Sequence, residues 1–156
     1  MGVQALKVLY HRGAVDADGK TGDGAGIQLG IPKNFFIEQI KHTGHKTNDL
    51  PFAVGMIFLP RTNFEAQEKS RIIIESEIIR EGFKIYGWRH VPINTKIIGE
   101  KAKATLPEIE QILIGNESYS NELELDDKLY LIRKRIENKI NQQNISDFYI
   151  CSLSSQ

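Results

Sequence analysis

Apolar and polar positions alternate unevenly over the first fifty residues and regularly after them. Val3, Leu6, Val8 and Leu9 recur at mixed helical spacing and stop short of Gly13, which predicts a short helix. Residues 13–26 then form a glycine-rich loop, a composition suited to tight turns or to close approach of the backbone to another group. Residues 27–31 alternate weakly and predict a strand ended by Pro32. Residues 33–42, carrying Phe35, Phe36 and Ile40, predict a helix, and the polar segment 43–49 a loop.

From residue 52 the elements are sharper. The apolar run 52–59 between Pro51 and Pro60 reads as a buried strand. Asn63 is placed to cap a helix running through Ile74 and Ile78 to Gly82. Residues 83–91, rich in β-formers and closed by Pro92, predict a second strand. A helical turn or two is expected over 95–104 and a third strand over 108–114. Residues 121–141 predict a long amphipathic helix with Leu125, Leu129, Ile132, Ile136 and Ile140 on one face. A fourth strand is expected over 148–153, with Cys151 as a small apolar core group. The expected fold class is therefore α+β. Residues 51–156 read as a split β-α-β-β-α-β, ferredoxin-like unit with two helices on one face of an antiparallel sheet. Residues 1–50 are a separate, partial piece. The last strand runs into Ser154-Ser155-Gln156 with no element after it, so the chain reads as cut rather than finished.

Charge narrows the functional classes. Twenty basic residues balance twenty acidic ones, which argues against a broad nucleic-acid surface or a polybasic membrane surface. No apolar run reaches the length of a membrane span, and residues 1–10 lack the pattern of a signal peptide, so the cytoplasm is the expected compartment. One cysteine excludes a disulfide framework and an all-cysteine metal or iron–sulfur site within these residues.

The local motifs are mostly bland. Gly19-Lys20-Thr21 lacks the earlier glycine and the leading strand of a phosphate-binding loop, and Gly22-x-Gly24-x-Gly26 lacks the dinucleotide spacing. His42 and His45 sit in a polar loop with no companion ligand set, and His90 near a strand end reads as structural. Arg133 to Lys139 read as a solvated helix face, with docking of another domain by Arg133 and Arg135 as the alternative. His11-Arg12-Gly13 is the most informative triplet. A fixed cation beside a flexible backbone suits carboxylate binding or loop anchoring, and a helix C-terminus with a glycine stop explains it equally well.

Beyond such spacing, the string His11-Arg12-Gly13-Ala14 … Ala17-Asp18-Gly19-Lys20-Thr21-Gly22-Asp23-Gly24 resembles the N-terminal class II glutamine amidotransferase domain of the glutamate synthase large subunit. The likeness continues at Phe35-Phe36, Ala53-Val54-Gly55-Met56, Gly87-Trp88-Arg89, Gly99-Glu100, Ile109-Glu110-Gln111-Ile112, Arg133 to Glu137, and Phe148-Tyr149 with Cys151-Ser152-Leu153-Ser154. These blocks follow family order at family-like spacing over nearly the whole chain.

The resemblance implies part of an N-terminal-nucleophile amidotransferase sandwich. It also implies hydrolysis of L-glutamine that feeds ammonia to glutamate formation. His11, Arg12, Gly13, Asp23 and Gly24 would line the substrate site. In the family the nucleophile is an N-terminal cysteine whose own α-amino group is the base, and the thiol forms a glutamyl thioester that water cleaves. A carboxylate-binding arginine and an Asn-Gly oxyanion hole come later in the family. This sequence opens Met1-Gly2 and ends at Gln156, so the expectation is a fragment without nucleophile or oxyanion hole, inactive alone. FMN and an iron–sulfur cluster belong to later domains of the family, and no cofactor is expected here. The expected associates are the remaining glutamate synthase segments. The alternatives are a non-enzymatic ferredoxin-like interaction module, a companion chain of a split enzyme, or a decayed frame.

Overall fold

A computed structural model describes residues 1–9, 13–22, 24 and 26–156. They fall into two compact units, Met1–Gly30 with Pro92–Leu106, and Ile31–Val91 with Pro107–Gln156.

The larger unit is built on a four-stranded antiparallel sheet, β1 (Ala53–Leu59), β2 (Lys84–His90), β3 (Glu108–Gly115) and β4 (Tyr149–Ser154), in the order β2-β3-β1-β4. The apolar runs take the two central positions, β1 and β3, where both neighbours satisfy the backbone. Alternation sends Ala53, Ile57 and Leu59 of β1, with Ile112 and Ile114 of β3, to one face. There they meet Ile74 and Ile78 of α3 (Phe64–Arg80) and the stripe Leu125, Leu129, Ile132, Ile136 and Ile140 of α5 (Glu122–Gln142). Each Ile or Leu fully removed from water contributes about 1.5–3 kcal/mol before chain entropy is charged against it.

Both long helices begin where the sequence supplies a cap. The Asn63 side chain accepts from the Ala66 N–H at 3.0 Å, and the Asn121 side chain from the Leu123 N–H at 3.0 Å. The other face of the sheet is covered by α2 (Lys33–His42). Its Phe36 and Ile40 pack with Phe52, Val54, Tyr86 and Leu113. The sheet of this unit thus carries helices on both faces rather than on one. Among the described residues α2 alone adds the second layer, and its short apolar face gives no clue in sequence to its target.

Cys151 corrects an expectation. It is exposed, not a core group. In the β1–β4 ladder Met56 faces Ser152 and Ile57 faces Ile150, so Cys151 is the extra residue of a bulge. The bulge lets Ile150 and Leu153 both reach the core and turns Cys151 out of it.

In the smaller unit, α1 (Gly2–Val8) buries none of its residues, and α4 (Glu100–Ala104) is the single helical stretch of the segment 95–104. The strand expected over 27–31 is not formed. A strand needs a partner for its N–H and C=O groups, and among the described residues all the sheet ladders lie among β1 to β4. Pro32 also removes a donor at its end. Among the described residues no helix is long and apolar enough to cross a membrane.

Candidate functional site

The glycine-rich segment of the smaller unit is an ordered turn. Val15 and Gly22 form an isolated antiparallel bridge, and the Asp16 N–H donates to the Thr21 carbonyl at 2.7 Å. The tip is closed by one side chain. Asp18 Oδ1 accepts from the Lys20 N–H at 2.9 Å and the Thr21 N–H at 2.7 Å, and Oδ2 accepts from the Thr21 hydroxyl at 2.6 Å. Asp residues favour such turns because a short carboxylate can stand in for a backbone acceptor. The Thr21 hydroxyl, then the Thr21 and Lys20 amides, pull the Asp18 carboxyl down to about 2.

This turn is also held from a distant part of the sequence. Lys101 Nζ donates to Asp16 Oδ2 at 2.5 Å. Gly99 is buried against the tip. A Cβ there would stand 2.0 Å from Thr21 Oγ1, 2.3 Å from Asp18 Oδ2 and 2.7 Å from the Thr21 nitrogen.

Of the residues expected to line a substrate site, Gly13 and Gly24 are described. They flank the Val15–Gly22 stem, both are exposed, and Gly24 has φ +80°. His11, Arg12 and Asp23 lie outside the described residues.

In the larger unit the cluster that sequence reading missed is His90, Glu108 and Glu110. It places a ring nitrogen and two carboxylate oxygens within 4.8 Å of one another. His90 and Glu110 are register partners across β2 and β3, a pairing invisible before the ladder is known. The donor set is poor for a cation. Both oxygens of the buried Glu110 accept from Arg71, Oε2 from Nε at 2.9 Å and Oε1 from a terminal nitrogen at 2.7 Å. A divalent ion would have to sit beside that guanidinium. His90 Nδ1, at 3.0 Å from Glu108 and 3.4 Å from Glu110, completes a polar knot on the edge strand. Next to it the Trp88 indole N–H donates to Glu75 at 2.7 Å. The His45 ring lies 5.6 Å from that of Tyr86, tilted by 53°, and pairs with the Thr43 hydroxyl.

Arg135 is no solvated surface cation. It reaches Glu77 at 3.2 Å and Glu81 at 2.6 Å, while Lys139 reaches Glu77 at 2.5 Å. Glu77 is 1% exposed and ties α3 to α5. The hydrogen bond from Lys139 lowers its pKa below 4.5, burial opposes, and the charges of Lys139, Arg80 and Arg135 add to the lowering. A carboxylate with a depressed folded pKa stabilises the fold above its unfolded value and loses that contribution as pH falls through the folded value. Urea midpoints of the wild type should therefore drop more steeply than those of Glu77→Gln between about pH 6 and about pH 3. Parallel curves would remove Glu77 as an acid-sensitive tie.

Comparison with known proteins supplies the frame for these features. The family described as glutamine amidotransferases class-II matches residues 1–156. The chain is 55% identical over 155 residues to the glutamate synthase [NADPH] large chain of Azospirillum brasilense, covering 99% of the chain and 10% of that protein. It is 36% identical over 154 residues to ferredoxin-dependent glutamate synthase 1, chloroplastic/mitochondrial, of Arabidopsis thaliana (97% and 9%). It is 38% identical over 157 residues to the ferredoxin-dependent glutamate synthase of Cyanidium caldarium (98% and 10%). The chain spans about a tenth of the length of these relatives. The match runs from the first residue to the last and takes in both units: the chain belongs to the class-II glutamine amidotransferases and is similar to the N-terminal glutaminase domain of the glutamate synthases.

Proposed function

We propose that these residues form part of the glutaminase domain of a glutamate synthase, in which the side-chain amide of L-glutamine is hydrolysed and the ammonia passed on to glutamate formation. The observation that carries this reading is the 55% identity over 99% of the chain to a glutamate synthase large chain. Its finer structural form is a ferredoxin-like split unit joined to part of an N-terminal-nucleophile sandwich. The strand order β2-β3-β1-β4 with α3 and α5 as crossovers supports that form.

On this reading His11, Arg12, Gly13, Asp23 and Gly24 line the glutamine site. The family resemblance implies FMN and an iron–sulfur cluster in later domains of the parent polypeptide, and the one thiol here cannot hold an all-cysteine cluster. These residues carry an incomplete L-glutamine site and associate with the remaining glutamate synthase segments, not with nucleic acid or a membrane, in the cytoplasm.

Cys151, an exposed bulge residue on an edge strand, has no part in the chemistry. In the full-length protein, amide-labelled glutamine should yield labelled ammonia and one equivalent of glutamate. Cys151→Ser should retain the rate within about twofold, as expected of an exposed side chain away from the reacting atoms. Absence of ammonia release from the wild type would refute the glutaminase reading, and loss of release in Cys151→Ser would refute the role given to that thiol.

A further inference from the structure

We propose that Gly99 is a positioning residue for glutamine binding, acting through the Asp18–Thr21 tip that it supports. The inference rests on the glutaminase reading above and adds to it a residue some seventy-five positions from the loop it serves. Of the expected substrate-lining residues, Gly13 and Gly24 are described and stand on either side of a single stem, each two positions outside Val15 or Gly22. The placement of the Val15–Gly22 bridge therefore bears on both.

Residues 99–101 hold the stem in addition to its own bridge. Lys101 pairs with Asp16 on the stem, and the backbone at Gly99 approaches the tip closely enough to leave no room for a methyl group. Asp18 and Thr21 are not free to step aside. The carboxylate already accepts three hydrogen bonds, and one of the crowded atoms is the Thr21 backbone nitrogen. A side chain at 99 must move the whole tip, and the stem with it. Misplacement of a binding group by about 1 Å costs up to about a hundredfold in efficiency, even when its cause lies far from the chemistry. The loss should fall on KM, because the reacting groups themselves are not touched.

The test is steady-state glutamine hydrolysis in the full-length protein. Gly99→Ala should raise KM for glutamine by about tenfold or more while kcat stays within about threefold. Thr21→Val keeps the volume but removes the hydroxyl donor to Asp18, and should raise KM by a few-fold. Thr21→Ser restores the donor and should return KM close to the wild-type value. Wild-type KM in a folded Gly99→Ala protein overturns the proposal. If that variant does not fold, the Thr21 pair decides, and equal KM values for Thr21→Val and Thr21→Ser overturn it. Failure of the wild type to hydrolyse glutamine is a separate outcome, which overturns the glutaminase reading and this inference with it.

Discussion

Arg71→Leu is expected to lower the unfolding free energy by about 3–5 kcal/mol, because it strands the charge of Glu110 inside the larger unit. The Glu110 side chain is 3% exposed and Arg71 is 19% exposed. Both carboxylate oxygens are taken by the guanidinium, in the two-pronged geometry that arginine alone offers. Hydrogen bonding to Glu110 holds the Arg71 pKa above its usual value, against the effect of burial. Arg71 also contacts Glu68 and lies 3.4 Å from the Gln67 amide oxygen. The Gln67 amide nitrogen in turn donates to the Pro60 carbonyl at 2.6 Å. The knot therefore joins α3 to β3 and to the end of β1. His90, with a side chain 77% exposed, remains near Glu110 but cannot replace a bidentate partner. The double variant Arg71→Leu with Glu110→Leu should recover most of the loss, since an apolar pair leaves no buried charge. Urea unfolding of the single and double variants measures the coupling. A single-variant loss under about 1 kcal/mol, or a double variant no better than the single, would show that Glu110 is satisfied without Arg71.

Ile112→Ala is expected to cost about 2–5 kcal/mol by opening a cavity between the central strands and the helices. Ile112 is fully buried on β3, facing Gly55 on β1 and Trp88 on β2. Its Cγ2 lies 2.7 Å from where a Cβ on Gly55 would be, so the isoleucine methyl already occupies the space over the glycine. Gly55→Ala alone should therefore overpack the site and cost about 1–3 kcal/mol. Placed together with Ile112→Ala, the new methyl enters the vacated space, and the combined loss should be smaller than the sum of the two. Denaturant midpoints at unchanged m-value read this directly. Strict additivity would mean that the two positions do not share a cavity, and would place the crowding of Gly55 on Leu153, whose Cδ1 is 3.0 Å from the same point.

Much of the larger unit was legible before any coordinates. The caps Asn63 and Asn121, the apolar runs of β1 and β3, and the α5 stripe are local signals, because helix and strand periods are written in neighbouring residues. The family likeness is linear in the same way. It needs only the order of blocks such as His11-Arg12-Gly13 and Gly87-Trp88-Arg89.

What failed to show in sequence depends on partners distant along the chain. The segment 27–31 has a strand-like pattern and, among the described residues, no strand to pair with. Cys151 has core-like neighbours, but a register shift turns it outward. Arg135 reads as solvated until α3 brings Glu77 and Glu81 beside it. Glu110 reads as one more charge on an alternating strand until Arg71 closes on it. The same holds for the candidate site. The residues expected to line it were named from the resemblance, whereas the seating of their loop on Gly99 and Lys101 is a tertiary contact. Sequence determined the elements, the family and the loop's composition, because those rest on local periodicity and linear order. Tertiary structure decided register, charge pairing and the seating of the loop, because each depends on atoms brought together only when distant segments meet in space.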